Sequence, residues 1–290
     1  MDKKNSSLNK IIDTHYSGLT AKGKVLAEFV LINPDKAVFM TTRKLAGAVG
    51  VSEATVIRFV RQLNYDSYAL FIKALRKIID TELTLIERNR LTKSVVRSED
   101  AELERITNQD IENIRAMSKN INFTEVKKIR KILKESEAVY IIGSRLSYAP
   151  AYYMGWILAK IRKNVTIFKG SDKTTIDQLI FASQESAVVI IATSRYPNEL
   201  IKMGKLVKRH KLKMILLTDS LSCPMIQFSD HVLIAPFQTI PFLGNPASLI
   251  TLINYLVHTM TADMGKELKN HQEKLEQAYL ENDILFNYDN

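Results

Sequence analysis

Between Thr20 and about Asp80 the apolar positions recur every three and four residues. Val25, Leu26, Phe29 and Val30 form one such group, and Leu45, Ala46 and Val49 another. That is the spacing of short amphipathic helices, and the strand signal of strict alternation is missing from the segment. From Thr81 to Ser136 the pattern stays helical but grows charged, with Leu103, Ile106, Ile111, Ile114, Met117 and Ile121 in one stripe. This stretch reads as a linker followed by packing helices. After Glu137 the texture changes to five short runs, AVYIIG, VTIF, AVVIIAT, KMILLT and HVLIA. Each is nearly continuous in apolar residues and too brief for a helix, as expected of strands buried on both faces. Helical stretches separate them, which predicts a five-stranded parallel sheet flanked by helices. PASLITLINYLVHTM and KELKNHQEKLEQAYL are the last helical stretches. The expected organisation is a helical head over 1–80, a linker helix over 81–108 and an α/β domain over 109–290.

Within the head, Ala48 to Phe59 reads AVGVSEATVIRF. Thr41 or Thr42 is suited to cap a helix running to Val49, Gly50 to end it in the left-handed conformation, and Ser52 to cap the next. Helices joined by so short a corner cross steeply and need a small residue where they touch, which Ala46 supplies. In the second helix Val56, Phe59 and Leu63 share the buried side, leaving Ser52, Glu53, Thr55, Arg58 and Arg61 outward. A helix-turn-helix places its second helix in the DNA major groove, with its N-terminal side chains at base edges. Arg58 and Glu53 are the candidates for base edges, and Ser52, Thr55, Arg43 and Lys44 for phosphates, with Arg61 on the same outward face. A plain helical hairpin is the competing reading of this pattern.

Charge favours an anionic polymer as partner of the head. The 290 residues carry a formal charge of +10, and residues 1–80 hold 13 Lys/Arg against 7 Asp/Glu, the remainder 28 against 24. A basic excess concentrated in a small segment fits double-stranded DNA, and a solvated basic surface is the bland alternative. The single cysteine, Cys223, excludes an internal disulfide and fits a reducing compartment. His15, His210, His231, His258 and His271 are scattered without metal-ligand spacing, so neither a metal nor another cofactor is expected. No apolar run reaches membrane-spanning length, and MDKKNSSLNK lacks the apolar core of a signal peptide, which makes the expected location cytoplasmic.

The α/β segment concentrates polar candidates in two strand-to-helix loops. Ser144, Arg145 and Ser147 follow the first predicted strand; Thr193, Ser194, Arg195 and Tyr196 follow the third. In open α/β sheets ligands bind beyond the carboxyl ends of strands where the strand order reverses. Hydroxyls and N–H groups at a helix N-terminus make an anion site, to which a guanidinium adds a bidentate bond. Serines at such turns also serve merely as helix caps, and the arginines could be salt-bridged to acids such as Glu199 or Asp219. Ser144, Arg145, Ser147, Ser194 and Arg195 form the candidate site for a small anionic effector.

TTRKLAGAVGVSEATVIRFVRQLNYDSYALFIKAL resembles the N-terminal domain of RpiR-type transcriptional regulators. The half from about Glu137 to Met264 is similar to the sugar isomerase (SIS) domain that follows it in that family. The resemblance implies a homodimeric or homotetrameric DNA-binding regulator of carbohydrate metabolism, with no membrane association, whose SIS domain senses a phosphosugar through serine and threonine loops. On that comparison Ser147 and Ser194 match family serines, whereas Arg145 and Arg195 replace glycines and Pro197 a threonine. Those departures imply a different anion, or a phosphorylated ligand held mainly by guanidinium groups. Asn64 stands where a glycine commonly follows the recognition helix, and TDSLSCPM resembles the family's fourth-strand loop. The competing functions are a sugar-phosphate isomerase, with Glu199, Glu185 or His258 as acid or base, and a degenerate SIS interaction module. The helical head counts against the enzyme, so no residue is assigned a catalytic role. For assembly, the stripe of residues 103–121 and the C-terminal Leu268, Leu275 and Tyr279 are the candidate faces.

Overall fold

The computed structural model describes residues 7–38, 40–82, 99–193, 195–221, 223–236, 245–262 and 264–284. The chain divides into two units, Met1–Ser98 and Glu99–Asn290.

Among the described residues, six helices build the first unit: α1 (Ser7–Tyr16), α2 (Ala21–Ile32), α3 (Pro34–Ala37), α4 (Thr42–Val49), α5 (Glu53–Gln62) and α6 (Tyr68–Glu82). Their boundaries follow local chemistry. Thr20 caps α2 by accepting the Gly23 N–H at 3.2 Å, which satisfies one of the donors a helix start leaves open. The core is a single cluster in which Leu26 and Val30 of α2, Leu45 of α4, Val56, Phe59 and Val60 of α5, and Phe71 and Leu75 of α6 are buried. Phe71 receives Phe59 and Tyr65 edge-on, with ring centroids 6.0 and 5.6 Å apart, the geometry that the ring quadrupoles favour. Val25 lies outside at 49% exposure although its neighbour Leu26 is fully buried, because adjacent helical residues point about 100° apart.

The second unit begins with α7 (Glu99–Asn120) and α8 (Phe123–Glu135), so one continuous helix runs through the expected division at 108/109. Five parallel strands follow: β1 (Val139–Gly143), β2 (Val165–Lys169), β3 (Ala187–Ala192), β4 (Lys213–Thr218) and β5 (His231–Ile234). They are separated by α9 (Tyr148–Ala159), α10 (Lys173–Ile180) and α11 (Asn198–Arg209), and followed by α12 (Ala247–Thr261) and α13 (Gly265–Glu281). All five strands lie where the apolar runs predict them. The sheet order is β2-β1-β3-β4-β5, with Ile142 opposite Ile190 and Gly143 opposite Lys169.

Both faces of the sheet are covered, which is why its strands read as unbroken apolar runs. Ile141, Val189, Ile191, Ile215 and Leu217 join a core with α8, α9 and α12. Ile142, Val188, Ile190, Met214 and Leu216 join another with α11. The stripe on α7 packs only in its C-terminal half: Met117 is buried, whereas Leu103, Ile106 and Ile111 are 68%, 45% and 39% exposed. Among the described residues no helix is long and apolar enough to cross a membrane.

Candidate functional site

In the first unit the α4–α5 corner is built from local bonds. Thr41 is the residue that caps α4, its hydroxyl accepting the Lys44 N–H at 3.2 Å. Gly50 closes the helix at φ 73° with its N–H on the Ala46 carbonyl, a conformation that glycine adopts without a Cβ penalty. Ser52 caps α5 through the Thr55 N–H at 3.2 Å. Ala46, Val56, Phe59 and Leu63 are all buried, while Arg43, Lys44, Ser52, Glu53, Arg58 and Arg61 are exposed and Thr55 half-buried. Several of the outward groups already have partners. The Thr42 hydroxyl donates to Glu53 Oε2 at 2.6 Å, joining the starts of the two helices, and the Ser52 and Thr55 hydroxyls lie 2.9 Å apart. Ala54 is also exposed on the first turn of α5. Just after the helix, Asn64 adopts φ 64°, the left-handed conformation in which asparagine is tolerated, and its amide meets His15 Nε2 at 3.0 Å.

In the second unit the reversal of strand order falls between β1 and β3, and the loops after these strands meet there. Ser147 and Thr193 hydroxyls lie 3.0 Å apart, and the Thr193 N–H donates to Ser147 Oγ at 3.2 Å. Both residues are buried. Gly143 makes this approach close, since a Cβ there would run into the Ser147 carbonyl and Ala151. Ser144, also buried, donates its hydroxyl to Glu199 Oε1 in the first turn of α11. Ser144 and Ser147 occupy cap positions, yet neither side chain makes a capping bond. Their hydroxyls are spent on the neighbouring loop instead.

Arg145 and Arg195 have φ of 53° and 64° and are exposed. They hold the left-handed geometry natural to glycine, and among the described residues neither enters an ion pair. Glu199 takes the Ser144 hydroxyl, while Asp219 accepts the Tyr196 hydroxyl at 2.9 Å. Burial first, and then Asp219, push the Tyr196 phenol far above its ordinary pKa, so it serves as a neutral donor. Ser194 lies outside the described residues.

The loop after β2 belongs to the same end of the sheet and was missed in the sequence. Lys169 closes β2 beside Gly143, exposed and 5.6 Å from the Tyr148 ring centroid. Gly170 follows at φ 77°, its N–H on the Gly143 carbonyl at 2.8 Å. The signal available was KGSD directly after a predicted strand: a glycine turn and then an aspartate cap. Of the three candidate acid–base residues, Glu199 stands at this end of the sheet. Glu185 precedes β3 at the strands' amino ends, and His258 is exposed on α12.

Two family models match the chain: "Helix-turn-helix domain, rpiR family" over residues 6–81 and "SIS domain" over 132–262. An uncharacterised HTH-type transcriptional regulator of Haemophilus influenzae is 23% identical over 241 residues, 81% of each chain. The NanR protein of Vibrio vulnificus, solved in complex with ManNAc-6P, is 20% identical with a TM-score of 0.57, covering 94% of this chain and 97% of that one. The sugar isomerase domain of an RpiR transcription factor from Sphaerobacter thermophilus has a TM-score of 0.58 at 18% identity, covering 60% of this chain and 97% of its own.

Proposed function

Since the chain belongs to the RpiR-type transcriptional regulators, DNA-binding proteins that join a helix-turn-helix domain to a SIS domain, we propose that it is controlled by a small anionic effector of the phosphosugar class. The effector binds beyond the carboxyl ends of β1 and β3, and its binding changes how the regulator holds operator DNA. The observation that carries this reading is the pair of left-handed arginines flanking the bonded Ser147–Thr193 junction. A non-glycine residue in that conformation costs about 1 kcal/mol or more, and such strain gathers at ligand clamps. Ser144, Arg145, Ser147, Ser194 and Arg195 are the proposed ligand set. An anion there meets two helix starts and two guanidinium groups, whose charge-assisted bonds are stronger than neutral ones. The ManNAc-6P bound to NanR supports the phosphosugar class.

On DNA, Arg58 and Glu53 address base edges, Ser52, Thr55, Arg43 and Lys44 phosphates, and Arg61 the flank, in a homodimer or homotetramer that matches paired half-sites. The protein acts as a regulator without catalysing a reaction on its effector. Glu199, the acid best placed for isomerase chemistry, is bonded to Ser144. Thermal-shift screening of sugar phosphates and sugar acids on the wild type and Arg145→Ala tests the site. Stabilisation of the wild type that disappears in Arg145→Ala is the expected result; equal shifts in both, or none, would overturn it.

A further inference from the structure

Glu199 sits inside the proposed effector site and carries the wrong charge for it. Its Oε1 accepts the Ser144 hydroxyl. Its Oε2 rests against Gly170, where an added Cβ would lie 2.8 Å away. The Gly170 N–H is committed to the Gly143 carbonyl at 2.8 Å. The carboxylate is therefore seated in a socket formed by the ends of β1 and β2 and by the first turn of α11. Among the described residues it has no ion-pair partner, although Arg145, Arg195 and Lys169 stand on the surrounding loops.

We propose that Glu199 competes with the effector for the Ser144 hydroxyl and so sets the anion affinity of the crevice; this rests on the crevice being the effector site. A serine hydroxyl has one proton to donate. It serves either the Glu199 carboxylate or an oxygen of the ligand. An incoming phosphate meets the Glu199 charge at the same helix starts, and the attraction of the guanidinium groups is reduced by that repulsion. Occupancy releases Glu199 from Ser144 and with it the brace between the loop after β1 and the start of α11, the helix that follows β3; because the same carboxylate rests on Gly170 after β2, effector binding is linked to a change at three strand ends. The two arginines on glycine-like backbone then offset the anion that the site already contains.

Calorimetric titration of the full chain with inorganic phosphate and with glucose 6-phosphate compares the wild type, Glu199→Gln, Glu199→Ala and Arg145→Ala. Both Glu199 variants should bind roughly tenfold more tightly than the wild type, the scale of one hydrogen bond to a charged group, and Arg145→Ala more weakly. Glutamine keeps the shape but loses the charge, and its neutral carbonyl is a weaker competitor for the Ser144 hydroxyl than a carboxylate, so misfolding of the alanine variant leaves the test intact. Binding by the Glu199 variants alone also supports the competition. Unchanged or weaker binding in Glu199→Gln, with Arg145→Ala still impaired, overturns the competition and leaves the effector site standing. Uptake of neither anion by any of the four proteins overturns both.

Discussion

Arg145 and Arg195 hold a backbone conformation that favours glycine, which separates their side-chain role from their backbone cost. Arg145→Gly removes strain and guanidinium together, but glycine also loses more freedom on folding. Stability should therefore change by less than about 1 kcal/mol, read from denaturant melts, while anion-induced stabilisation disappears. Arg145→Val keeps the strain and adds β-branching, and should destabilise by about 1 kcal/mol or more. In the head, Arg58 and Lys44 are both exposed but are expected to act differently. Arg58→Ala should cost roughly 1–3 kcal/mol of specific binding and relax the preference at one base. Lys44→Ala should weaken all sequences alike and lower the salt slope by about one. Selection from a random DNA pool, followed by titration at several salt concentrations, checks both. An unchanged base preference in Arg58→Ala would remove α5 from the groove.

The elements owe their ends to short-range bonds, and one of these carries a pH signature. Asp172 caps α10 by accepting the Thr175 N–H at 2.7 Å and its hydroxyl at 2.8 Å. The backbone bond first, and then the hydroxyl, hold its carboxyl below the ordinary range. A depressed native pKa means that the cap's contribution is complete above the unfolded value of about 3.9. It is lost as pH falls through the lower native value. Asp172→Asn should therefore melt below the wild type at pH 6, with the gap narrowing toward pH 3; a gap independent of pH would refute the assignment. Caps and corners of this kind were legible in the sequence at Thr41, Gly50 and Ser52, because each involves groups within about four residues of one another. At Ser144 and Ser147 the same residue types stand at helix starts and do something else. Their partners lie 55 and 46 residues away, and the choice between cap and cross-loop bond depends on which loops the sheet brings together.

For the whole molecule, the exposed half of the α7 stripe is the clearest candidate for self-association. Leu103 and Ile106 are 68% and 45% exposed, whereas Met117, on the same stripe, is buried within its own unit. Packing within the second unit, chiefly against α12, thus accounts for one half of the stripe and leaves the other half unexplained. Leu103→Glu combined with Ile106→Glu should lower the molar mass in light scattering to that of a single chain and weaken operator binding. An unchanged mass would shift the interface to another face, such as that of α13, where Leu268, Leu275 and Tyr279 are half-buried.

The sequence by itself determined the helical corner, its caps, the buried face of α5 and the five strands. These follow from periodicity and from bonds between near neighbours, and burial on both faces leaves an unmistakable apolar run. It also marked the two loops after β1 and β3. Only the tertiary structure decided what those loops do: that Ser147 meets Thr193, that Ser144 turns to Glu199, that the β2 loop joins them through Gly170, and that two arginines adopt a glycine's backbone. Local propensity argues against left-handed arginines, and no spacing rule links residue 144 to residue 199. The order β2-β1-β3 brings these groups together, because parallel strands with the same direction deliver all their carboxyl-end loops to one edge of the sheet.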